Sequence, residues 1–156
     1  MLLKLLFAGV LVVATVAMHA VGLDALLRAL MRSRALDRTG FRPVTGMVIG
    51  LTCWLLLIHL AEISVWGLFY YWQGCLPDAE SAFYFSGVTY TTVGYGDLVL
   101  AKPWRMLAPL EALTGILMCG LSTGLFFALV SRWISSWVQR RTAAEPHSGA
   151  PGKTEP

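Results

Sequence analysis

Thr91-Thr92-Val93-Gly94-Tyr95-Gly96-Asp97 is a short polar, glycine-bearing stretch set between long apolar runs. Backbone that leaves the helix at membrane depth carries N–H and C=O groups that lipid cannot satisfy. Such a loop is tolerated only where protein or a water-filled cavity takes those groups up. The stretch is therefore predicted to line a pore. Gly94 and Gly96 reach positive φ without a Cβ penalty, which lets alternate residues turn their carbonyls towards one axis. Val93 and Tyr95 are predicted to point away from that axis and brace the loop, the Tyr95 hydroxyl serving as a polar handle. Asp97 falls at the outer mouth. In a soluble chain the same residues would read as a surface turn, so the flanking spans decide the matter.

Those spans dominate the composition. Of 156 residues 56% are hydrophobic and 13% charged, against roughly a quarter charged in soluble domains. This predicts an integral membrane protein. The net charge is +3, but the basic residues sit beside apolar runs. They bear on topology and lipid headgroups, and nucleic acid is not an expected partner. No paired catalytic carboxylates, nucleophile triad or nucleotide-binding glycine loop occurs, so neither an enzyme nor a cofactor is expected. Cys53, Cys75 and Cys119 fall singly, at no metal-ligand spacing. The first and last read as small packing residues, and Cys75 as a free thiol or half of a disulfide.

Taken in order, residues 1–23 contain a first apolar run, Leu5 to Leu23, close to the ~20 residues a spanning helix needs. It also resembles a signal peptide. The next segment, 24–43, carries Arg28, Arg32, Arg34, Arg38 and Arg42 against Asp24 and Asp37. The positive-inside rule places it in the cytoplasm, so the first helix is retained with its N-terminus outside. These arginines lie in a stretch too polar to span, unlike a voltage sensor. Either a short amphipathic interfacial helix or a plain loop is expected there. Pro43 opens the second span, 44–71, whose outer end bears an aromatic belt of Trp66, Tyr70, Tyr71 and Trp72. Asp78 or Ser81 can cap the next helix, predicted at 79–91 and too short to cross a bilayer. The 92–97 loop follows, and Pro103 and Trp104 open the last span, 103–133, which Pro109 is expected to bend. Residues 134–156 are expected to form a cytoplasmic tail, largely disordered.

Thr92 to Gly96, preceded by a short helix and flanked by two spans, resembles the filter of the potassium-channel pore family. The resemblance covers Val44 to Trp133; the first helix lies outside it. It implies an all-α membrane fold of three transmembrane helices plus a short pore helix and an extended filter loop. It further implies K+ held by the carbonyls of Thr92, Val93, Gly94 and Tyr95, with the Thr92 hydroxyl at the inner end. The pore helix would aim its partially negative C-terminus at the ion. One strand cannot encircle an ion, so three further subunits are implied, most simply in a homotetramer. Two departures stand out. Val88 occupies a position where some members carry a glutamate that braces the filter, and Leu100 replaces a common proline. Gly115 lies near the family's hinge position, and Gly115, Gly120 and Gly124 are either gating hinges or close-packing faces.

The expected function is passive, selective K+ conduction in a cell membrane, with the C-terminus cytoplasmic. The alternatives are a weakly selective cation channel and a non-conducting subunit that assembles with another channel. Within the spans stand His59 and Glu62 on one helical face, at a depth where ionisable groups are costly. They are either a proton-sensitive site or a hydrogen-bonded pair hidden between helices. Counting inward at ~1.5 Å per residue, Glu62 and Glu111 share a depth. This predicts one polar cluster of His59, Glu62 and Glu111 behind the pore helix, bracing the filter in place of the glutamate missing at Val88.

Overall fold

The computed structural model describes residues 2–33 and 41–144. Four helices follow in order: α1 Leu2–Ser33, α2 Phe41–Trp72, α3 Ala79–Tyr90 and α4 Leu107–Ala144. Three of them, α1, α2 and α4, are long and apolar enough to cross a membrane, over Leu6–Arg32, Thr45–Trp72 and Leu107–Gln139. α3 is the short helix expected from the sequence as the pore helix. Asp78 caps it from an extended conformation, its carboxylate accepting the Ser81 N–H at 2.7 Å, which satisfies one of the four N–H groups that a helix start leaves open.

Four boundaries differ by three residues or more from those read in the sequence, the start of α2 among them, at Phe41 in place of residue 44. α1 does not end at residue 23; it runs to Ser33. Asp24 and Arg28 are bridged one turn apart at 2.8 Å, and Leu26 is buried with Leu51, Leu55, Ile58 and Leu129. The apolar stripe thus continues through the charged stretch as part of one helix, in place of a separate interfacial helix. Arg34, Arg38 and Asp37 lie outside the described residues. At the other end, residues 102–106 form turns, and α4 begins at Leu107, not at Pro103. Pro109 then falls in the first helical turn, where no N–H has an intrahelical acceptor, so it need not bend the helix. α4 also continues past Trp133 to Ala144, with Trp133 and Trp137 stacked one turn apart, their centroids 6.5 Å apart. The tail expected to be disordered lies, from residue 145 on, outside the described residues.

α1 and α2 run antiparallel, because rising numbers on α1 meet falling numbers on α2. Ala8 and Leu11 pack with Trp66, Phe69 and Tyr70 at one end, and Leu26 packs with Leu51 and Leu55 at the other. Two polar ties fix the register. Trp66 Nε1 donates to Thr15 Oγ1 at 3.0 Å, and Trp54 Nε1 donates to the Gly22 carbonyl at 3.0 Å. The second is possible because Gly22 carries no side chain: a Cβ there would meet Ile58 Cδ1 at 2.7 Å. Small residues are the usual means by which membrane helices approach closely. α3 lies between α2 and α4, with Ala82 and Phe85 buried against Tyr70, Leu100 and Leu107. The loop after α3 is thereby held at the edge of the bundle.

Candidate functional site

Three alternate residues in that loop adopt positive φ: Thr92 at 62°, Gly94 at 50° and Gly96 at 80°. Val93 and Tyr95 between them do not. Alternating handedness along a backbone aligns successive N–H groups on one face and leaves the carbonyls to point together from the other. A row of neutral oxygens on one side of the strand is what replaces the hydration shell of a large, weakly hydrated cation. The two glycines were legible as such in the sequence. Thr92 was not, because a β-branched residue at positive φ is an outlier that local preference argues against. Among the described residues it is the one non-glycine in that region. Such a conformation persists only where its surroundings over-determine it.

The surroundings are the C-terminus of α3 and the far side of the loop. Thr91 N–H and Oγ1 both bond the Gly87 carbonyl, at 3.1 and 2.7 Å. Thr92 N–H donates to Thr89 O at 2.9 Å and Gly94 N–H to Val88 O at 3.0 Å. Val88 therefore ties the loop by its backbone carbonyl, although its side chain can offer no carboxylate. At the outer end the Tyr84 hydroxyl donates to Asp97 Oδ2 at 2.8 Å, fixing the mouth residue to the pore helix. That bond holds the Tyr84 phenol above its ordinary pKa, since ionising it would set two negative oxygens side by side. Val93 and Tyr95 are 51% and 72% exposed on the single chain.

Behind α3 the two intramembrane carboxyls are fully buried, but no described hydrogen bond joins them to each other. Each holds its own network. Glu62 on α2 accepts from the Tyr90 hydroxyl, lies 3.1 Å from His59 Nδ1 and lies 2.9 Å from Nδ1 of His19 on α1. Glu111 on α4 accepts from the Tyr70 hydroxyl at 2.7 Å, and its other oxygen lies 2.5 Å from Ser86 Oγ. Ser86 and Tyr90 are one turn apart on α3 and so share a face. The two carboxyls thus grip the back of the pore helix as a pair of clamps, one turn apart, where a single cluster had been predicted. Unpaired polar groups in hydrocarbon cost several kcal/mol, and here every buried side-chain nitrogen and oxygen among the described residues has a partner.

His19, Ser86, Tyr90 and Ser122 were not singled out in the sequence, and Tyr70 was read there only as part of an aromatic belt. His19 was the findable one, since an ionisable residue inside a span is itself a signal. Of the three glycines offered as hinges or packing faces, Gly115 differs from Gly120 and Gly124, and a Cβ on Gly124 meets nothing within 4 Å. A Cβ on Gly115 would strike the Tyr90 carbonyl, lying 2.9 Å from its carbon, whereas a Cβ on Gly120 meets nothing within 4 Å. Gly115 is thus a close-packing position against the end of the pore helix. The cysteines are free thiols, and burial pushes the Cys75 thiol up, away from reactive thiolate character.

A family model described as ion channel matches residues 58–132. That range runs from the outer half of α2 through the pore helix and loop into α4, and takes in both clamps while leaving His19 and Thr15 outside. No curated protein and no solved structure matches the chain. The family match and the resemblance carried by Thr92 to Gly96 reach the same assignment by different routes. Residues 58–132, two potential spans with a short helix and an irregular loop between them, are thus similar to the ion-channel family.

Proposed function

We propose that this chain is a subunit of a potassium-selective channel that conducts K+ passively. The observation that carries the reading is the alternation of positive φ at Thr92, Gly94 and Gly96 within the Thr-Val-Gly-Tyr-Gly stretch. The carbonyls of Thr92, Val93, Gly94 and Tyr95 would then hold the ion, with the Thr92 hydroxyl at the inner end and Asp97 at the mouth. One strand supplies one wall of such a cage, so four copies around a cyclic axis complete it. The exposure of Val93 and Tyr95 on a single chain supports this, because neighbouring subunits would cover them. Gly120, with open space around it, is the position at which α4 can bend in gating. The positive-inside rule places the N-terminus outside and the C-terminus in the cytoplasm, which reporters fused at either end would check.

The experiment is flux through the purified chain reconstituted in liposomes, with cross-linking to read the number of subunits. K+ flux far above Na+ flux from a four-chain species is expected. Equal passage of both ions would leave a weakly selective cation channel, and no flux from a correctly assembled species would leave a non-conducting subunit.

A further inference from the structure

The clamp around Glu62 has a composition that hydrogen bonding alone does not demand: two imidazoles and one carboxyl, drawn from two helices. We propose that His19, His59 and Glu62 form a binding site for a borderline divalent cation of the Zn2+ class, linking α1 to the pore module. One ligand atom from each of the three lies within 4.8 Å of the others. Around a tetrahedral Zn2+ with bonds of about 2.0–2.2 Å, neighbouring donor atoms stand about 3.3 Å apart. His19 Nδ1 and Glu62 Oε1 are separated by 2.9 Å, and His59 Nδ1 and Glu62 Oε2 by 3.1 Å. An opening of a few tenths of an ångström in each of these two pairs, with the two imidazole donors drawn to the same spacing from within 4.8 Å, makes room for the ion. Two imidazole nitrogens with one carboxylate select zinc-like ions over Mg2+ or Ca2+, which take oxygen cages.

The outer shell fits as well as the ligands do. A metal-bound histidine donates the N–H of its other ring nitrogen to an acceptor that fixes the ring. With both Nδ1 atoms turned to Glu62, both Nε2 atoms converge on one hydroxyl: Ser122 Oγ lies 3.1 Å from Nε2 of His59 and 3.4 Å from Nε2 of His19. The carboxyl is oriented in the same way, by the hydroxyl of Tyr90. Three protein ligands leave a fourth position for water, as in open zinc sites. His59, the least buried of the three, borders a cavity of about 330 Å3 between α2 and α4, where Thr52, Ser122 and Thr123 stand among the apolar Leu55, Leu56 and Phe126. That cavity is the access route. An ion here would fasten α1 to α2 beside the last residue of the pore helix.

The test uses the full-length chain purified without a polyhistidine tag and stripped with chelator. Co2+ is titrated in as the spectroscopic probe, and Zn2+ is then used to displace it. One Co2+ per chain is expected, with visible bands of a low-coordinate site. Binding should weaken at least tenfold in His19→Gln, His59→Gln and Glu62→Gln, by analogy with the penalty for losing even an outer-shell partner. Cys119→Ser and His147→Ala should bind as the parent does. Absence of saturable binding, or full retention in His19→Gln, overturns the proposal, as does loss in His147→Ala, which would put the ion on the C-terminal segment. Should the ligand variants not fold, X-ray absorption on the Zn2+-loaded parent decides: two imidazoles and oxygen in the first shell support the site, and sulfur or a single imidazole refutes it. None of these readouts depends on conduction, so the site stands or falls separately from the proposed pore.

Discussion

Replacing Tyr90 by Phe removes one hydroxyl and leaves the ring in place, so it isolates the bond from α3 to Glu62. That bond holds the end of the pore helix two residues before Thr92. In water, truncating one partner of a buried hydrogen bond costs about 1–3 kcal/mol, whereas double-mutant cycles inside membranes average ~0.6 and reach ~1.7 kcal/mol. Glu62 is fully buried, which sets the loss near the upper membrane figure, while His19 and His59 remain as partners and keep it from going much beyond. A coupling of about 1–2 kcal/mol between Tyr90→Phe and Glu62→Gln is expected. Glu62→Gln and Glu111→Gln act on separate networks and should add to within ~0.5 kcal/mol. Unfolding of the purified protein in detergent, with chelator present, measures both cycles. Additivity in the first cycle, or coupling above about 1 kcal/mol in the second, would refute the two-clamp arrangement. The second outcome would restore a single His59–Glu62–Glu111 cluster.

Three further outcomes test other parts of the molecule. Gly94→Ala forces a Cβ into φ 50° with open space around it, a purely conformational strain of ~1–2 kcal/mol per chain; K+ flux should vanish while the helical content by circular dichroism is unchanged. Gly115→Ala should destabilise the fold by about 1–3 kcal/mol through overpacking against Tyr90, and Gly120→Ala should leave thermal stability nearly unchanged. Tyr84, held protonated by its bond to Asp97, contributes stability that is fully present below the ordinary tyrosine pKa of ~10 and is lost as pH rises through the higher folded value. Absorbance titration should show that late-ionising phenol disappear in Tyr84→Phe, and an unchanged titration curve would show that the bond does not persist in solution.

What the sequence carried well was whatever repeats or punctuates locally. The spans follow from runs of apolar residues, and the start of the pore helix from Asp78. The loop follows from two glycines in a fixed spacing. The helix ends were less legible, because the apolar stripe of α1 continues beneath Asp24 and Arg28, and charge alone suggested a break. Thr92 was misleading for a different reason: its conformation is imposed by α3, against its own preference. The carboxyl networks lay beyond a local reading. Depth along the helix normal put Glu62 and Glu111 level, but depth carries no information on rotation about each helix axis. Rotation decides that Glu62 turns to His19 and Tyr90 while Glu111 turns to Tyr70 and Ser86. His19 lies in α1, outside the stretch that carries the resemblance, and only its position within an apolar run marks it.

The packing of α1 has a consequence for what that helix is worth to the protein. In a bilayer, stripping a helix from its neighbours exposes apolar faces to tails that are equally apolar, so Leu51, Leu55 and Ile58 would lose little by facing lipid. Glu62 and the indole N–H of Trp66 would lose much more, since hydrocarbon has no donor or acceptor to replace His19 and Thr15. α1 therefore works as insulation. A chain shortened to the module that the ion-channel family model matches would keep its grease and lose its dielectric shield, and the fault would surface one helix away, at Tyr90, where the loop begins.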